Sequence, residues 1–508
     1  MRYRSVTSAI VLLLGLSLCG AAMATDWWAS EVVGYSRLGQ GGANNPYADP
    51  NAVLGKPSTW MWGSGAPNDP GICAVSMVCP AWNVAPNDGI HGNGEKLITS
   101  IMPAGRGNPA GYITVKFATP IYDDPDNWYG KDFEVYGNAF FVLGGSYVYA
   151  ASNMEQMIFS AYGGDAIFIE PSPVSVSQDG VTWYTYSNGP YDDDYAPTQA
   201  FAWDWVENHW LLNSSGKEVE LDFTRPVDPA WQPADYNYKS CAQAIDMYEG
   251  SGGGTAFDLA EIPDTWPKDA NGRKWIQYIK VDGTGGEVDA FTRVSHQIAP
   301  TSIGEAKKLD DGTHVVLNDV VVSGETYSTG RFCYIQQSNR SSGIKLMGRV
   351  FVRGQKLRVY GDMDTINGEK VILATSVLTE KDEQGQDVTI DVKPLGMPNK
   401  AVAGNGLSTK DLLVRTWGKV TSVDVDTKSF VVDDGSGRKI KCIAPRTAPS
   451  ESDAPNPGDP NWGVTAKSDF TPPAKDQFVT VTGISSVESD EQGGFVPVVR
   501  LRDGNDLQ

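Results

Sequence analysis

Histidine is scarce in this chain. Four occur among 508 residues, His91, His209, His296 and His314, each alone in its neighbourhood. That scarcity argues against a zinc site and against histidine-based catalysis. Cysteine numbers six, with no Cys-x-x-Cys pair. There is no Gly-x-Ser-x-Gly elbow, no His-Glu-x-x-His helix and no phosphate loop. Long apolar runs are missing as well: Ile10–Leu18 is too short to span a bilayer. No long segment repeats with a 3.6-residue period, so helices should be few.

What the chain has is β-strand vocabulary. Short alternating runs recur between turn signals, among 55 glycines and 31 prolines. Arg2 and Arg4, the apolar Ile10–Leu18 and Ala22-Met23-Ala24 read as an export leader over residues 1–24. The protein is therefore expected outside the cytoplasm, in the periplasm, at the cell surface or in the medium. Of the five cysteines left after cleavage, Cys73 and Cys79 share one Gly- and Pro-bounded loop, where a disulfide is expected. The odd count leaves at least one thiol unpaired, as a small buried apolar side chain.

Charge is uneven. The net charge is −21, yet residues 302–508 carry 25 Lys and Arg against 28 Asp and Glu. Most of the negative charge thus lies earlier, with 13 of the 15 tryptophans. An acidic, Trp-rich segment repels phosphate, which argues against nucleic acid as its partner.

Residues 257–294 hold the densest chemistry. Trp275–Gly283 alternates, with Trp275, Gln277, Ile279 and Val281 on one face. Glu287 and Asp289 then point the same way along a strand, about 7 Å apart. Two such carboxylates repel unless a cation, an arginine or water intervenes. With Asp258 they form a set of hard oxygen donors that suits Ca²⁺. A solvated acidic strand end is the plainer alternative.

The same residues carry a resemblance. Phe257-Asp258-Leu259-Ala260-Glu261-Ile262, Tyr278-Ile279-Lys280-Val281-Asp282 and Gly285-Gly286-Glu287-Val288-Asp289-Ala290 look like closing strands of a β-sandwich. With Val53-Leu54-Gly55-Lys56-Pro57, Asp132–Asn138 and the turn Ser177-Gln178-Asp179-Gly180-Val181-Thr182-Trp183, they are similar to the galactose-binding-like jelly rolls of secreted bacterial proteins. That family includes discoidin and carbohydrate-binding modules. The resemblance implies a sandwich over residues 25–299 that binds glycan and holds a structural metal. It departs from the family at Gly137, where Glu is usual, and at Glu287, where Asp is usual.

If the sandwich binds sugar, it needs aromatic platforms. Trp203 and Trp205 would share a strand face, with Asp204 and Asn208 offering hydrogen bonds to hydroxyls. Tyr184, Tyr186, Tyr191 and Tyr195 surround a second candidate, the acidic loop Asp192-Asp193-Asp194. The competing reading makes these rings core.

Beyond Pro300 the pattern changes to five strands in about 80 residues, which fits a small closed barrel. It resembles an OB-fold over residues 300–394. A second copy, residues 395–508, carries a Pro-rich inserted loop; Leu-Arg-Val-Tyr-Gly and Val-Thr-Val-Thr-Gly end corresponding strands. In the first copy Arg331, Arg340, Lys345, Arg349, Arg353, Lys356 and Arg358 interleave with Phe332, Tyr334, Phe351 and Tyr360, as single-strand binding requires.

The expectation is an exported all-β protein: a jelly-roll sandwich followed by two OB-like barrels. It is read as a non-catalytic, glycan-binding or adhesive protein with a structural Ca²⁺. The alternatives are a secreted hydrolase working through the acidic loops of the sandwich, and nucleic-acid capture by the barrels.

Overall fold

A computed structural model describes residues 26–36, 49–57, 99–101, 111–137, 139–142, 158–159, 166–197, 201–205, 209–283, 286–325, 332–402, 409–447, 465–466, 469–489 and 494–508. The leader, the Cys73–Cys79 loop and Asn208 lie outside the described residues.

The first part contains β1 (Glu31–Ser36), β2 (Thr99–Ser100), β3 (Tyr112–Tyr122), β4 (Phe133–Gly137), β5 (Val174–Ser177) and β6 (Trp183–Thr185). It continues with β7 (Trp203–Asp204), β8 (His209–Trp210), the helix α1 (Cys241–Met247), β9 (Thr255–Phe257), β10 (Trp275–Asp282) and β11 (Glu287–Arg293). Two sheets form, in the orders β1-β3-β10-β5-β6 and β9-β4-β11-β2. Their inner faces share one core. Ile113 and Val115 of β3, Val174 and Val176 of β5 and Ile279 of β10 meet Phe133 and Val135 of β4, Phe257 of β9 and Phe291 of β11. Phe133 and Phe257 stack with centroids 4.8 Å apart and rings nearly parallel. The chain crosses between sheets at β3 to β4 and again at β9 to β10 to β11, the alternation of a jelly roll.

Two bulges alter the expected strand phase. Against β3, the register of β10 shifts between Ile276 and Tyr278. Ile276, Ile279 and Val281 are consequently all buried, although strict alternation separates Ile276 from the other two. Against β4, β11 shifts between Val288 and Ala290, so Asp289 sits at the irregularity. A bulge inserts one residue into a period-two pattern and reverses every face beyond it.

Between β4 and β9 the chain builds a second core. Phe141, Phe159, Trp203, Tyr236 and Tyr248 pack around α1. Ser240 caps this helix: its hydroxyl accepts from Gln243 N at 3.2 Å, and the Gln243 side chain accepts from Ser240 N at 3.0 Å. The Ser-x-x-Gln spacing is a local helix-start signal. At seven residues the helix is too short to show a long 3.6-residue period.

The remainder folds into two rings. The first contains β12 (His314–Glu325), β13 (Phe332–Gln337), β14 (Gly343–Met347), β15 (Lys356–Ile366) and β16 (Glu369–Thr379). Its order is β12-β13-β14-β16-β15, closed by β15 on β12, with β14 and β16 parallel. The second contains β17 (Leu413–Asp424), β18 (Ser429–Asp433), β19 (Lys439–Ile443), β20 (Phe478–Ser489) and β21 (Phe495–Arg500). It repeats the order as β17-β18-β19-β21-β20, closed by Leu413–Lys419 against Phe478–Ile484, with β19 and β21 parallel. Both follow the strand path 1-2-3-5-4 of a small Greek-key barrel.

Arg225 ties the sandwich to the first barrel. Its guanidinium lies 4.2 Å from the Trp128 ring centre and 4.1 Å from that of Tyr360, and it pairs with Glu249 at 2.8 Å. Nearby, His314 Nδ1 meets Asp362 at 2.5 Å. The hydrogen bond to Asp362 raises the imidazole to about 9, with Asp222 and Glu220 adding to the rise. A folded value above the unfolded one gives stability that is full below about pH 6.5 and lost as pH rises through about 9. The melting temperature should therefore fall across that window, and His314→Gln should flatten the fall. Equal slopes in both proteins would assign the loss elsewhere.

Candidate metal centre

Asp123, Asp132 and Asp258 converge at one end of the sandwich, each with an oxygen within 4.8 Å of the others. Strand pairing brings them there. Asp123 follows Tyr122, the last residue of β3, which pairs with Trp275 of β10. Asp132 precedes Phe133 of β4, and Asp258 follows Phe257 of β9; those two phenylalanines are register partners.

Backbone donors hold the carboxylates in place. Asp132 is buried; its Oδ1 accepts from Asp124 N at 2.9 Å and Asn127 Nδ2 at 3.1 Å, and its Oδ2 from Leu259 N at 2.7 Å. Asp258 Oδ1 accepts from Ala260 N at 2.7 Å, capping the short 3₁₀ turn Leu259–Glu261. Tyr186 donates its hydroxyl to the Asp258 carbonyl at 3.0 Å. Lys131 stands 3.9 Å from Asp258 and 3.5 Å from Glu261, and Lys274 donates to the carbonyls of Ala260 and Ile262.

Burial drives the Asp132 carboxyl up to about 8, against the pull of the Leu259 and Asp124 hydrogen bonds. Burial also raises Asp123, with the negative charge of Asp258 adding to it. Three converging carboxylates of this kind could hold a metal ion. An all-oxygen donor set suits a hard cation, and a divalent ion would stabilise the ionised form that burial disfavours. Three of about four lone-pair positions on Asp132 are already engaged, which leaves it one ligand atom to give.

Asp258 thus belongs to an acidic centre, with partners other than those expected. Glu287 and Asp289 are both buried and lie toward the opposite end of β4: Val288 pairs with Gly137, whereas Asp258 adjoins the Phe133 level. Four residues along a strand separate those levels by about 13 Å. The sequence runs Asp258, Glu287 and Asp289 close together; the register moves them apart. Burial likewise removes the alternative of a solvated strand end.

The expected sugar platform is also displaced. Trp203 is 4 % exposed and Asp204 is buried, in the β7–β8 hairpin inside the second core. Trp205 packs against that core, with the Arg349 guanidinium 5.2 Å from its ring centre. The enclosed Trp203 ring has no face for a sugar, and the half-buried Trp205 has Arg349 against its ring. The acidic loop is interior too. Asp193 Oδ1 accepts from Ala139 N at 2.6 Å and its Oδ2 from Glu170 N at 2.9 Å; Asp192 Oδ1 accepts from Ser172 N at 2.5 Å. Gly137 makes room for it, since a Cβ there would lie 2.1 Å from Asp193 Oδ1.

In the first barrel the interleaved cations are mostly engaged internally. Lys345 pairs with Glu369, Arg349 with Asp246, Arg353 with Asp503 and Lys356 with Glu380. Tyr334 and Tyr360 are buried. Arg331 lies outside the described residues. Cys241, Cys333 and Cys442 are buried, and no helix among the described residues is long and apolar enough to cross a membrane. Comparison with known proteins finds no family whose model matches the chain and no curated protein that matches it.

Proposed function

We propose that this is an exported, non-catalytic glycan-binding protein whose sandwich is braced by a structural Ca²⁺ at Asp123, Asp132 and Asp258. The observation that carries the calcium reading is the convergence of the three carboxylates within 4.8 Å at the sandwich end. Such an ion would join the end of β3 to the starts of β4 and of the turn after β9, three segments that the Asp132 carboxylate already bridges by hydrogen bonds. The glycan reading draws support from the jelly-roll architecture, which is fold-level analogy. The inward role of Asp132, Asp192 and Asp193 speaks for a structural rather than a hydrolytic use of these acids. Each accepts backbone hydrogen bonds.

Calcium at a hundredfold excess over Kd should stabilise the fold by about 2.7 kcal/mol, seen as a higher melting temperature that EDTA reverses. Asp123→Asn should abolish the difference, because Asp132 and Asp258 keep their backbone hydrogen bonds while the donor set loses a charge. Asp289→Ala should lower the melt equally with calcium and with chelator. A melt indifferent to both would remove the metal reading. A glycan array tests the ligand class, and turnover of chromogenic glycosides by the purified protein would replace binding with hydrolysis.

A further inference from the structure

The outer wall of the second barrel sets exposed rings beside exposed cations. Along β17, Arg415, Trp417 and Lys419 are exposed and alternate with buried Val414, Thr416, Gly418 and Val420. The two-residue repeat spaces the three outward side chains about 7 Å apart. Across the ladder to β20, Arg415 faces Thr482, Trp417 faces Thr480 and Lys419 faces Phe478. Trp417 is 47 % exposed and Phe478 76 %. As diagonal neighbours in an antiparallel pair they lie within about 7–8 Å, so their open faces form one patch.

The cations beside them are placed differently from those of the first barrel. Arg415 is steadied by Nε donating to Thr482 Oγ1 at 2.9 Å and is itself exposed. Lys419 meets Asp476 at 2.7 Å, with both side chains open to solvent. A surface pair of that kind is held weakly and can exchange partners. Large exposed rings rimmed by polar groups are the mark of a binding surface.

We propose that this wall is the glycan platform and that its ligand is an acidic polysaccharide. The inference rests on the glycan reading above and assigns it a place and a charge. Trp417 and Phe478 would stack on sugar faces, whose axial C–H groups suit flat rings. Arg415 would take a carboxylate by its two-pronged hydrogen bonding, and Lys419 would add a second positive point. Asp433 faces Lys419 from β18 and meets Lys439 at 3.9 Å, so Arg415, Lys419 and Lys439 stand against Asp476 and Asp433, and the wall is locally basic in a chain of net charge −21. A uronate-bearing glycan carries charge on only some of its sugars and offers ring faces between them. A nucleic acid carries a phosphate at every nucleotide and would meet the repulsion of the whole chain. The wall is built from the first and fourth strands of its barrel, away from the second and third strands where such barrels usually bind oligomers.

The test is affinity electrophoresis of the full-length protein in native gels containing hyaluronate, a neutral hydroxyethyl cellulose or no polymer, with polarisation of a labelled single-stranded oligonucleotide alongside. Hyaluronate should retard the parent, the neutral glucan should not, and retardation should weaken with salt. Trp417→Ala and Phe478→Ala should each weaken retention about tenfold, as the loss of one stacked ring implies, with melts close to the parent's. Arg415→Gln should weaken hyaluronate retention while leaving both rings in place, a second check that does not depend on removing a large side chain. Retention unchanged in all three variants would overturn this wall as the site and leave the glycan reading standing. A parent retained by no glycan here or on the array would overturn both. Equal retardation by the neutral glucan would overturn the acidic class, and tighter binding of the oligonucleotide would overturn the proposed occupant.

Discussion

Trp203→Ala is expected to destabilise the first part of the chain by about 3–5 kcal/mol, the range for emptying a large buried aromatic site. The indole sits with Phe141, Phe159, Tyr236 and Tyr248 in a core held against the sandwich by β4 and β9. Aromatic contacts run through it: Phe141 stacks on Phe159 with centroids 4.4 Å apart and meets Tyr236 edge-on at 5.3 Å. Tyr248 donates its hydroxyl to the Ala196 carbonyl at 2.9 Å, anchoring α1 to the loop before β7. Rings already committed to neighbours cannot close over a vacated indole, so the cavity persists and the cost stays near the upper end. Urea unfolding followed by fluorescence checks it. Trp205→Ala should cost less, because that ring is only half-buried and meets Arg349 on one side. A Trp203→Ala protein as stable as the parent would show that the indole does not belong to the core.

Glu369→Ala should cost a comparable amount, about 3–5 kcal/mol, because it strands the cation of Lys345, whose side chain is only 12 % exposed. Glu369 sits on β16 of the first barrel, where its Oε2 meets Lys345 at 2.5 Å. Its Oε1 accepts from Ser486 Oγ at 2.8 Å and Val487 N at 3.1 Å, both on β20 of the second barrel. Burial raises the Glu369 carboxyl, but Lys345 and the hydrogen bond from Ser486 outweigh it and hold the group below its usual range. Removing the carboxylate leaves Lys345 between the rings of Phe332 and Tyr334, 4.5 and 5.7 Å away, without its counter-charge. The two barrels would then lose their shared acceptor, and proteolysis between β16 and β17 should accelerate. Lys345→Met combined with Glu369→Leu should recover most of the stability, since a buried pair replaced by apolar groups of similar size is often neutral. If the double variant is as unstable as the single one, the loss lies in the Ser486 and Val487 hydrogen bonds rather than in the stranded charge.

The sequence by itself determined the class of the fold. Alternating runs such as Leu413–Val420 and Lys356–Asp362 are local, and a strand's period of two is visible in a handful of neighbours. The barrel strands β14 and β16 are legible because buried Ile344, Leu346, Ile372 and Leu373 and the turns beside them are all near in sequence. The expectation of a buried cysteine follows from composition in the same way, and Cys241, Cys333 and Cys442 are buried. Tertiary structure decided everything that depends on which strand lies beside which. Asp123, Asp132 and Asp258 span 135 positions and meet because β3 and β9 end, and β4 begins, at one edge of the sandwich. Glu287 and Asp289, nearer to Asp258 by sequence than Asp132 or Asp123, are carried to the other end by the β4 register and rephased by a bulge. Trp203 and Trp417 are the same side chain with opposite fates, one enclosed by an insertion and one left on a barrel wall. Composition gives a residue its preference for burial, but only long-range packing sets which side of it the rest of the chain will cover.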